Sequence, residues 1–349
     1  MNGAAALSAS EVAATAGWIA SVQLPDGMIP WYPGGHADPW NHVEAAMALL
    51  VGGRRPEAEA ALRWLARTQL ADGSWCLYYL ADGVEDPRRD PNVCAYLAAG
   101  LWYHHLVTGD RRLLAELWPV VEAALGFVLR LQQPGGEVLW SMDADGTPGR
   151  YALVTSSSSI LHSLRCAVAA AAVLGEERPD WELAAGRLAH ALAHRPERFE
   201  PKDRWAMDWY YPVLAGVVTG GAGRARLAER WDDFVEPGLG VRCVRDNRWV
   251  TAAETAECAL ALHALGQADA AARLLGWTRH LRDGDGAYGT GCVHPQCVRF
   301  PGGERSTYSA AAVLLADHAL AEGPGAGLFR PGGLPAVVAI ADAEGAAER

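Results

Sequence analysis

Apolar and polar residues recur along this chain with the spacing of an α-helix, and the helical stretches come in pairs. The first member of each pair has a charged face and is predicted at 11–23, 57–69, 111–132, 182–194, 224–235 and 268–282. The second member is apolar on almost every side and is predicted at 41–52, 92–107, 157–174, 208–219, 252–265 and 306–321. Strand-like alternation is almost absent, so an all-α fold is expected.

Six buried helices surrounded by six amphipathic ones are typical of an (α/α)6 toroid. A helix that is apolar on every side is buried on every side, so the second members are predicted to form the inner ring. We predict one toroid domain over residues 1–322, followed by an irregular Gly- and Pro-containing tail over 323–349. An open α-solenoid is the rival arrangement, but six pairs fit a closed ring.

Several outer helices end in a similar short sequence: QLPDGMIPW from Gln23, QLADGSW from Gln69 and QQPGGEVLW from Gln132. We predict that the Gln amide bonds a terminal carbonyl or the next repeat, that the glycine takes a positive φ, and that the Trp closes the seam. QLADGSW resembles the Q-x-x-D-G-x-W repeat of the terpenoid cyclase and protein prenyltransferase superfamily, and the other two look like degenerate copies. The resemblance implies an α/α toroid and, for function, isoprenoid chemistry.

The chain departs from the specific motifs of these enzymes. Squalene-hopene-like cyclases use a D-x-D-D acid, whereas Asp143 and Asp145 are here followed by Gly146. The prenyltransferase zinc site uses a His on a late inner helix, and the corresponding segment, 306–309, has none. Toroids of this kind also serve glycan hydrolysis and elimination, so the resemblance does not decide the activity.

Composition restricts the partners. A net charge of −11 argues against nucleic acid, which requires a basic face. The sequence shows no run of eighteen apolar residues and no secretion signal, so no transmembrane segment and a cytoplasmic location are expected. Seven cysteines, an odd number set mostly in apolar patterns, fit reduced thiols. The expected partner is a small molecule, isoprenoid or saccharide, possibly anionic.

Candidate site residues follow from the predicted geometry, because the N-termini of parallel inner helices share one end of the ring. The loops that enter those helices are long and rich in acids, aromatic residues and cations. The catalytic candidates are Asp143, Asp145, Glu44, Asp208 and Glu254. The substrate-binding candidates are Trp31, His36, Asp38, Trp40, His42, Asp90, Asn92, Trp140, Trp209, Tyr210, Arg242, Arg245, Arg248, Glu304, Arg305 and Tyr308.

The favoured hypothesis is an isoprenoid cyclase or transferase, with Asp143 or Asp145 as the acid. Trp31, Trp40, Trp140 and Trp209 would then stabilise cations, and Arg242, Arg245 or Arg248 would hold a diphosphate. The alternative is a glycan-active hydrolase, lyase or epimerase that uses two carboxylates as acid and base, from among Glu44, Asp90, Asp208, Glu254 and Glu304. A third class, a non-catalytic binding toroid, predicts dispersed acids.

A metal or cofactor is not required by either chemistry. Cys292, His294 and Cys297 resemble part of a zinc site by ligand type but lack an obvious fourth ligand. Neither Mg nor Zn has other support in the sequence.

Overall fold

The computed structural model describes residues 6–330 and 332–340. Within them, the stretches with a helical period form helices. These helices are α1 (Ala9–Val22), α2 (Pro39–Val51), α3 (Arg55–Thr68), α4 (Pro91–Ala95), α5 (Leu97–Thr108), α6 (Arg112–Arg130), α7 (Val154–Leu174), α8 (Pro179–His194), α9 (Ala206–Leu214), α10 (Gly220–Glu229), α11 (Trp231–Phe234), α12 (Ala252–Ala264), α13 (Ala268–Gly276) and α14 (Thr307–Leu320). Short 3-10 helices cover Pro196–Arg198, Trp277–Leu281 and Ala326–Phe329.

The inner helices close into a ring. Contacts run from α2 to α5, α7, α9, α12 and α14, and then from α14 back to α2, which excludes an open spiral. Helix α4 continues into α5 with an interruption at Tyr96 and completes the second inner position. Alanines on the inner helices, including Ala45, Ala46 and Ala48, are fully buried and allow close packing. The predicted toroid is therefore confirmed.

Among the described residues, α7 has the length and hydropathy of a membrane-crossing helix. Most of its apolar surface is buried inside the ring, between α5, α8 and α9. Its composition follows from its inner position.

Two antiparallel sheets were not predicted from the sequence. The strands are β1 (Tyr78–Leu80), β2 (Gly83–Asp86), β3 (Val235–Glu236), β4 (Gly240–Arg242), β5 (Trp249–Thr251), β6 (Gly289–Val293) and β7 (Val298–Arg305). β1 pairs with β2, and β3 to β7 form a five-stranded sheet in sequence order. Most of these strands have two to five residues, which is too short for a two-residue period to stand out. All of them lie in the loops around the mouth of the ring.

The predicted tail begins after α14 and packs against residues of the inner helix α7. Arg165 on α7 donates a hydrogen bond from Nε to the carbonyl of Pro335 (3.0 Å). Residues 331 and 341–349 of the tail, and 1–5 of the predicted toroid, lie outside the described residues. The boundary at residue 322 stays a prediction.

The Gln-containing turns join neighbouring repeats, as predicted. Gln69 donates to the carbonyl of Gly73 within its own turn and to that of Val120 on α6, each at 2.9 Å. Gln23 and Gln132 make the corresponding pairs of bonds. The indole of Trp75, 1% exposed, donates to the carbonyl of Leu65. The motif therefore stabilises the fold and carries no chemistry of its own.

Gly73 is the residue in this turn that tolerates no side chain. Its φ is +88°, and a Cβ there would lie 2.1 Å from the carbonyl oxygen of Ala123 on α6. We expect Gly73→Ala to lower the free energy of unfolding by about 3 kcal/mol, because a left-handed backbone and a backbone clash add. Gly109→Ala is the matched control, since Gly109 also has a positive φ (+67°) but open space around it. A denaturant titration showing equal losses for both variants would exclude the clash as the cause.

Candidate active site at the mouth of the ring

A cavity of about 330 Å³ opens at the end of the ring where the inner helices begin. Every inner position contributes to its wall: Glu44 from α2, Val93 from α4, Ser159 from α7, Tyr211 from α9, Glu254 from α12 and Tyr308 from α14. Five carboxyl side chains line it: Asp38, Glu44, Asp90, Glu254 and Glu257. The acids converge on one cavity, contrary to the dispersed acids expected of a binding toroid.

Three of these acids lie in the upper layer, at the helix N-termini. Asp38 and Asp90 are the N-caps of α2 and α4, and Glu254 lies in the first turn of α12. In the ring order, α4 and α12 are separated by two inner positions on either side. Asp90 and Glu254 therefore stand on opposite walls of the cavity.

The three upper acids differ in how much of their hydrogen-bonding capacity the protein uses. Both oxygens of Asp38 are engaged: Oδ1 by the N–H groups of Trp40 and Asn41, and Oδ2 by Trp31 Nε1 (2.5 Å) and Asn41 Nδ2 (2.6 Å). Within the described part of the chain, Asp90 accepts only at Oδ1, from the N–H groups of Asn92 and Val93. Burial raises the pKa of Asp90 to about 7, against those two bonds. The Asp90 carboxyl group thus keeps its proton up to near neutral pH, and its Oδ2 is available to a ligand.

Glu254 is half-buried and accepts a hydrogen bond from the hydroxyl of Thr251 at Oε2. Its neighbours along the wall are Thr251, Ala253 and Glu257, none of which is a cation. Water therefore reaches this carboxyl more easily than it reaches the buried Glu257 one turn further along α12.

Glu44 and Glu257 form a deeper layer. Each is the sixth residue of its helix, which places it about 7.5 Å inside the ring, and each is only 6% exposed. Tyr96 OH donates to Glu44 (2.9 Å), and Tyr210 OH donates to Glu257. Burial raises the pKa of Glu44 to about 7, and the charge of Asp38 adds to the effect. Burial and then the charge of Glu44 raise the pKa of Glu257 well above its usual value, so this layer favours protonated acids.

Aromatic rings complete the wall. Trp31, Trp40 and Tyr308, which were predicted, line the cavity together with Tyr78, Tyr211 and Trp249, which were not. The indole of Trp40 stacks on Tyr96, with centroids 4.6 Å apart, and Trp31 meets Tyr308 edge-on at 5.1 Å. Asn92 also lines the cavity, and its buried Oδ1 has no hydrogen-bond partner among the described residues. Flat rings alternating with polar groups suit the faces and hydroxyls of sugars.

Several predicted site residues lie outside the cavity. Asp143 and Asp145 are exposed in a turn where Gly146 N–H bonds the Asp143 carbonyl, so neither is an acid in a dry pocket. Trp140 stacks on Tyr151 instead of on the cavity wall. Thr147 N–H donates to Asp145 Oδ1 within the turn, and Arg89 Nη1 donates to the Asp143 carbonyl (3.1 Å), so the turn is fixed at the surface.

The predicted histidines and the predicted α9 residues do not line the central cavity. His36 pairs with Glu85 at 2.9 Å and stacks on Tyr78. His42 is fully buried, with Nδ1 accepting from Ile29 N–H and Nε2 beside the Ala61 carbonyl (2.8 Å). Trp209 is buried against Phe234. Asp208 accepts a hydrogen bond from Thr155, and Tyr210 donates one to Glu257. Thr155 and Glu257 line the cavity, whereas Asp208 and Tyr210 do not.

The predicted cations do not line the central cavity. Arg242 pairs with Glu236 (2.6 Å), Arg245 lies 3.7 Å from Asp203, and Arg248 is exposed. Arg305 pairs with Asp285 (2.6 Å), and Glu304 accepts from Thr290 (2.7 Å). No Lys or Arg lines the central cavity within the part of the chain that is described. Because its charged groups are acids, the cavity disfavours the anionic ligand that the arginines suggested.

The cysteine group lies on the β6–β7 hairpin, away from the central cavity. Cys292 and Cys297 have sulfur atoms 2.7 Å apart, and His280 joins them so that one ligand atom of each lies within 4.8 Å of the others. His294, the predicted third member, is instead carried towards β3, where its Nε2 lies 3.4 Å from Glu236.

The residues missed by prediction follow from helical spacing. Glu257 is three residues after Glu254, and Ser159 is four after Thr155, so each pair shares a helix face. Once one member of each pair is placed in the cavity, this spacing predicts that the other member lines it too. The short strands that bring Tyr78 and Trp249 to the mouth had no such signal.

A known protein is similar in sequence to most of this chain. The sequence is 51% identical over 322 residues to MMP endo-(1,4)-3-O-methyl-alpha-D-mannosidase from Mycolicibacterium hassiacum, covering 92% of this chain and 89% of that protein. No family model matches the sequence.

Solved structures share the fold at low identity. A wild-type glycosidase aligns with a TM-score of 0.70 at 14% identity, covering 89% of this chain and 98% of the other. Mannosylglycerate hydrolase from Thermus thermophilus gives 0.68 at 16%, covering 87% and 99%. D-mannose isomerase gives 0.67 at 10%, covering 88% and 96%. These values support the toroid.

The relationship overturns the resemblance to terpenoid cyclases and prenyltransferases, and with it the isoprenoid hypothesis. The Q-x-x-D-G-x-W similarity was misleading because in this chain the turn has a structural task and does not line the cavity. The carbohydrate-active alternative is the one supported. This chain belongs to the family of the MMP endo-(1,4)-3-O-methyl-alpha-D-mannosidase.

Proposed function

We propose that this protein is a glycoside hydrolase that cleaves internal α-(1,4) linkages between 3-O-methyl-D-mannose units. The observation that carries the proposal is the 51% identity to an enzyme of that name over 92% of the chain. The acid-lined and aromatic cavity supports it, since glycoside hydrolysis needs two carboxyl groups beside the scissile bond. Leu77, Val93 and Met207 add apolar surface suited to a methyl ether.

Asp90 and Glu254 are the proposed acid and base. Asp90 gives its proton to the glycosidic oxygen as the bond from that oxygen to C1 breaks. Glu254 takes a proton from the water whose oxygen bonds to C1. Their positions on opposite walls suit an arrangement in which the sugar and the water lie between them. Asp38 is less suited, because the protein already uses both of its oxygens.

Glu44 and Glu257 are proposed to bind the sugar from the deeper layer of the cavity. As protonated acids they donate a hydrogen bond to a substrate oxygen, which an ionised carboxylate cannot do. The free amide oxygen of Asn92 accepts one from a hydroxyl.

The direct test is incubation of the purified protein with an α-(1,4)-linked oligosaccharide of 3-O-methyl-D-mannose. We expect new reducing ends and shorter internal fragments, measured by a reducing-sugar assay and mass spectrometry. An unmethylated α-(1,4)-mannan of equal length is the control for the methyl groups. Intact oligosaccharide after prolonged incubation with folded protein would contradict the proposal.

A further inference from the structure

A second depression of about 340 Å³ lies beside the mouth, between the loop that follows Trp31 and the turn of β7. It is lined by Tyr32, Pro33, Pro301, Gly302, Glu304 and Arg305. None of these residues lines the central cavity. The loops on its two sides come from the first and last repeats of the ring.

This depression adjoins the central cavity. Trp31, which lines the central cavity, directly precedes Tyr32, and Tyr308, which also lines it, follows Arg305 by three residues. The rings of Trp31 and Tyr308 are in contact, with centroids 5.1 Å apart. Thr307 binds the two loops together, with its N–H donating to the Trp31 carbonyl (2.7 Å) and its hydroxyl to the Pro30 carbonyl (2.8 Å). The two depressions are thus formed by neighbouring parts of the same two loops.

Contacts with neighbouring residues fix the side chains that line the outer depression. The Tyr32 ring lies close over Gly35, where a Cβ would come within 2.6 Å of it. Arg305 is held by Asp285, and Glu304 accepts a bond from Thr290. The charge of Arg305 is therefore already paired, so this surface offers hydrogen bonds and is not an anion site.

We infer that this depression is an outer saccharide subsite, which binds units of the chain beyond those in the central cavity. The inference rests on the proposed function. A tyrosine ring and two prolines present flat apolar surface to the C–H faces and methyl ethers of a sugar, while Glu304 and Arg305 reach its hydroxyls. An enzyme that cuts inside a polymer must bind units on both sides of the bond, and the second depression supplies that room.

The test measures binding separately from cleavage, in the background of Glu254→Gln. We compare Tyr32→Ala and Tyr32→Phe for binding of short and long 3-O-methyl-mannose oligosaccharides by titration calorimetry. Tyr32→Ala is expected to weaken binding of the long oligosaccharide roughly tenfold, leaving the short one within about twofold, because one stacking contact is lost only by the longer chain. Tyr32→Phe keeps the ring and is expected to retain affinity.

Three results overturn the inference: unchanged binding of the long oligosaccharide, equal weakening for both lengths, or equal affinity of the parent for both lengths. Thermal unfolding of each variant shows whether the fold is intact. If length-dependent binding is found but the wild-type protein cleaves nothing, the proposed hydrolysis fails and the subsite stands. If the wild type cleaves but Tyr32→Ala binds normally, the subsite fails and the hydrolysis stands.

Discussion

Glu254→Gln is expected to lower kcat on the methylmannose oligosaccharide at least about 1000-fold, because glutamine cannot take a proton from the attacking water. The amide keeps the size of the side chain and an oxygen that still accepts the Thr251 hydrogen bond, so the fold is expected to remain intact. Steady-state rates on the oligosaccharide, with thermal unfolding as the fold check, measure the effect.

Asp145→Asn is the matched control for this loss. Asp145 is an exposed acid outside the central cavity, and its replacement is expected to change kcat by less than about twofold. A Glu254→Gln enzyme with more than about a tenth of wild-type kcat would remove Glu254 from the role of base.

Asp90→Asn is expected to lower kcat/KM about 100- to 10,000-fold on the oligosaccharide, because the glycosidic oxygen loses its proton donor. Asparagine is as good an N-cap as aspartate, so the start of α4 is preserved and the loss reports on chemistry. A mannoside with an acidic phenol as leaving group needs little protonation, so on that substrate the loss is expected to be far smaller.

The pH dependence gives a second measure of Asp90. Burial raises its pKa to about 7, and the acid acts only in its protonated form. Wild-type kcat/KM is therefore expected to fall about tenfold per pH unit above pH 7, and this alkaline limb should vanish in Asp90→Asn. An unchanged limb in the variant would assign the titration to another group, with Glu44, whose pKa also lies near 7, as the next to replace.

Much of the ring was predictable because its information is local. The apolar periods place five of the six inner helices within three residues of their observed bounds, whereas α9 ends at Leu214, five residues before the predicted 219. The Gln69 turn was also predictable, since a glutamine amide and a glycine with φ > 0 have defined geometric uses. Parallel inner helices then place their N-terminal loops at one end, so Asp38, Glu44, Asp90 and Glu254 were expected at a common mouth.

The activity was predicted wrongly because the recognised motif belongs to the scaffold. Gln69 bonds a carbonyl group of the next repeat and Trp75 bonds one of the preceding outer helix, and neither contact involves the cavity. The acid pair Asp143 and Asp145 looked catalytic by its spacing but lies in an exposed turn. Neither the motif nor the spacing reports which side chains meet the substrate.

The sequence alone determined the helices, their pairing and the end of the ring at which acids and aromatic rings gather, because periodicity and turn chemistry act over a few residues. Only the tertiary structure decided which acids line the cavity, which of them are buried enough to stay protonated, and which arginines are already paired. Those properties depend on neighbours far away in the chain: Glu44 meets Tyr96, and Glu257 meets Tyr210, only when neighbouring inner helices pack against each other. Desolvation and pairing of charges are set by that packing, so no local pattern records them.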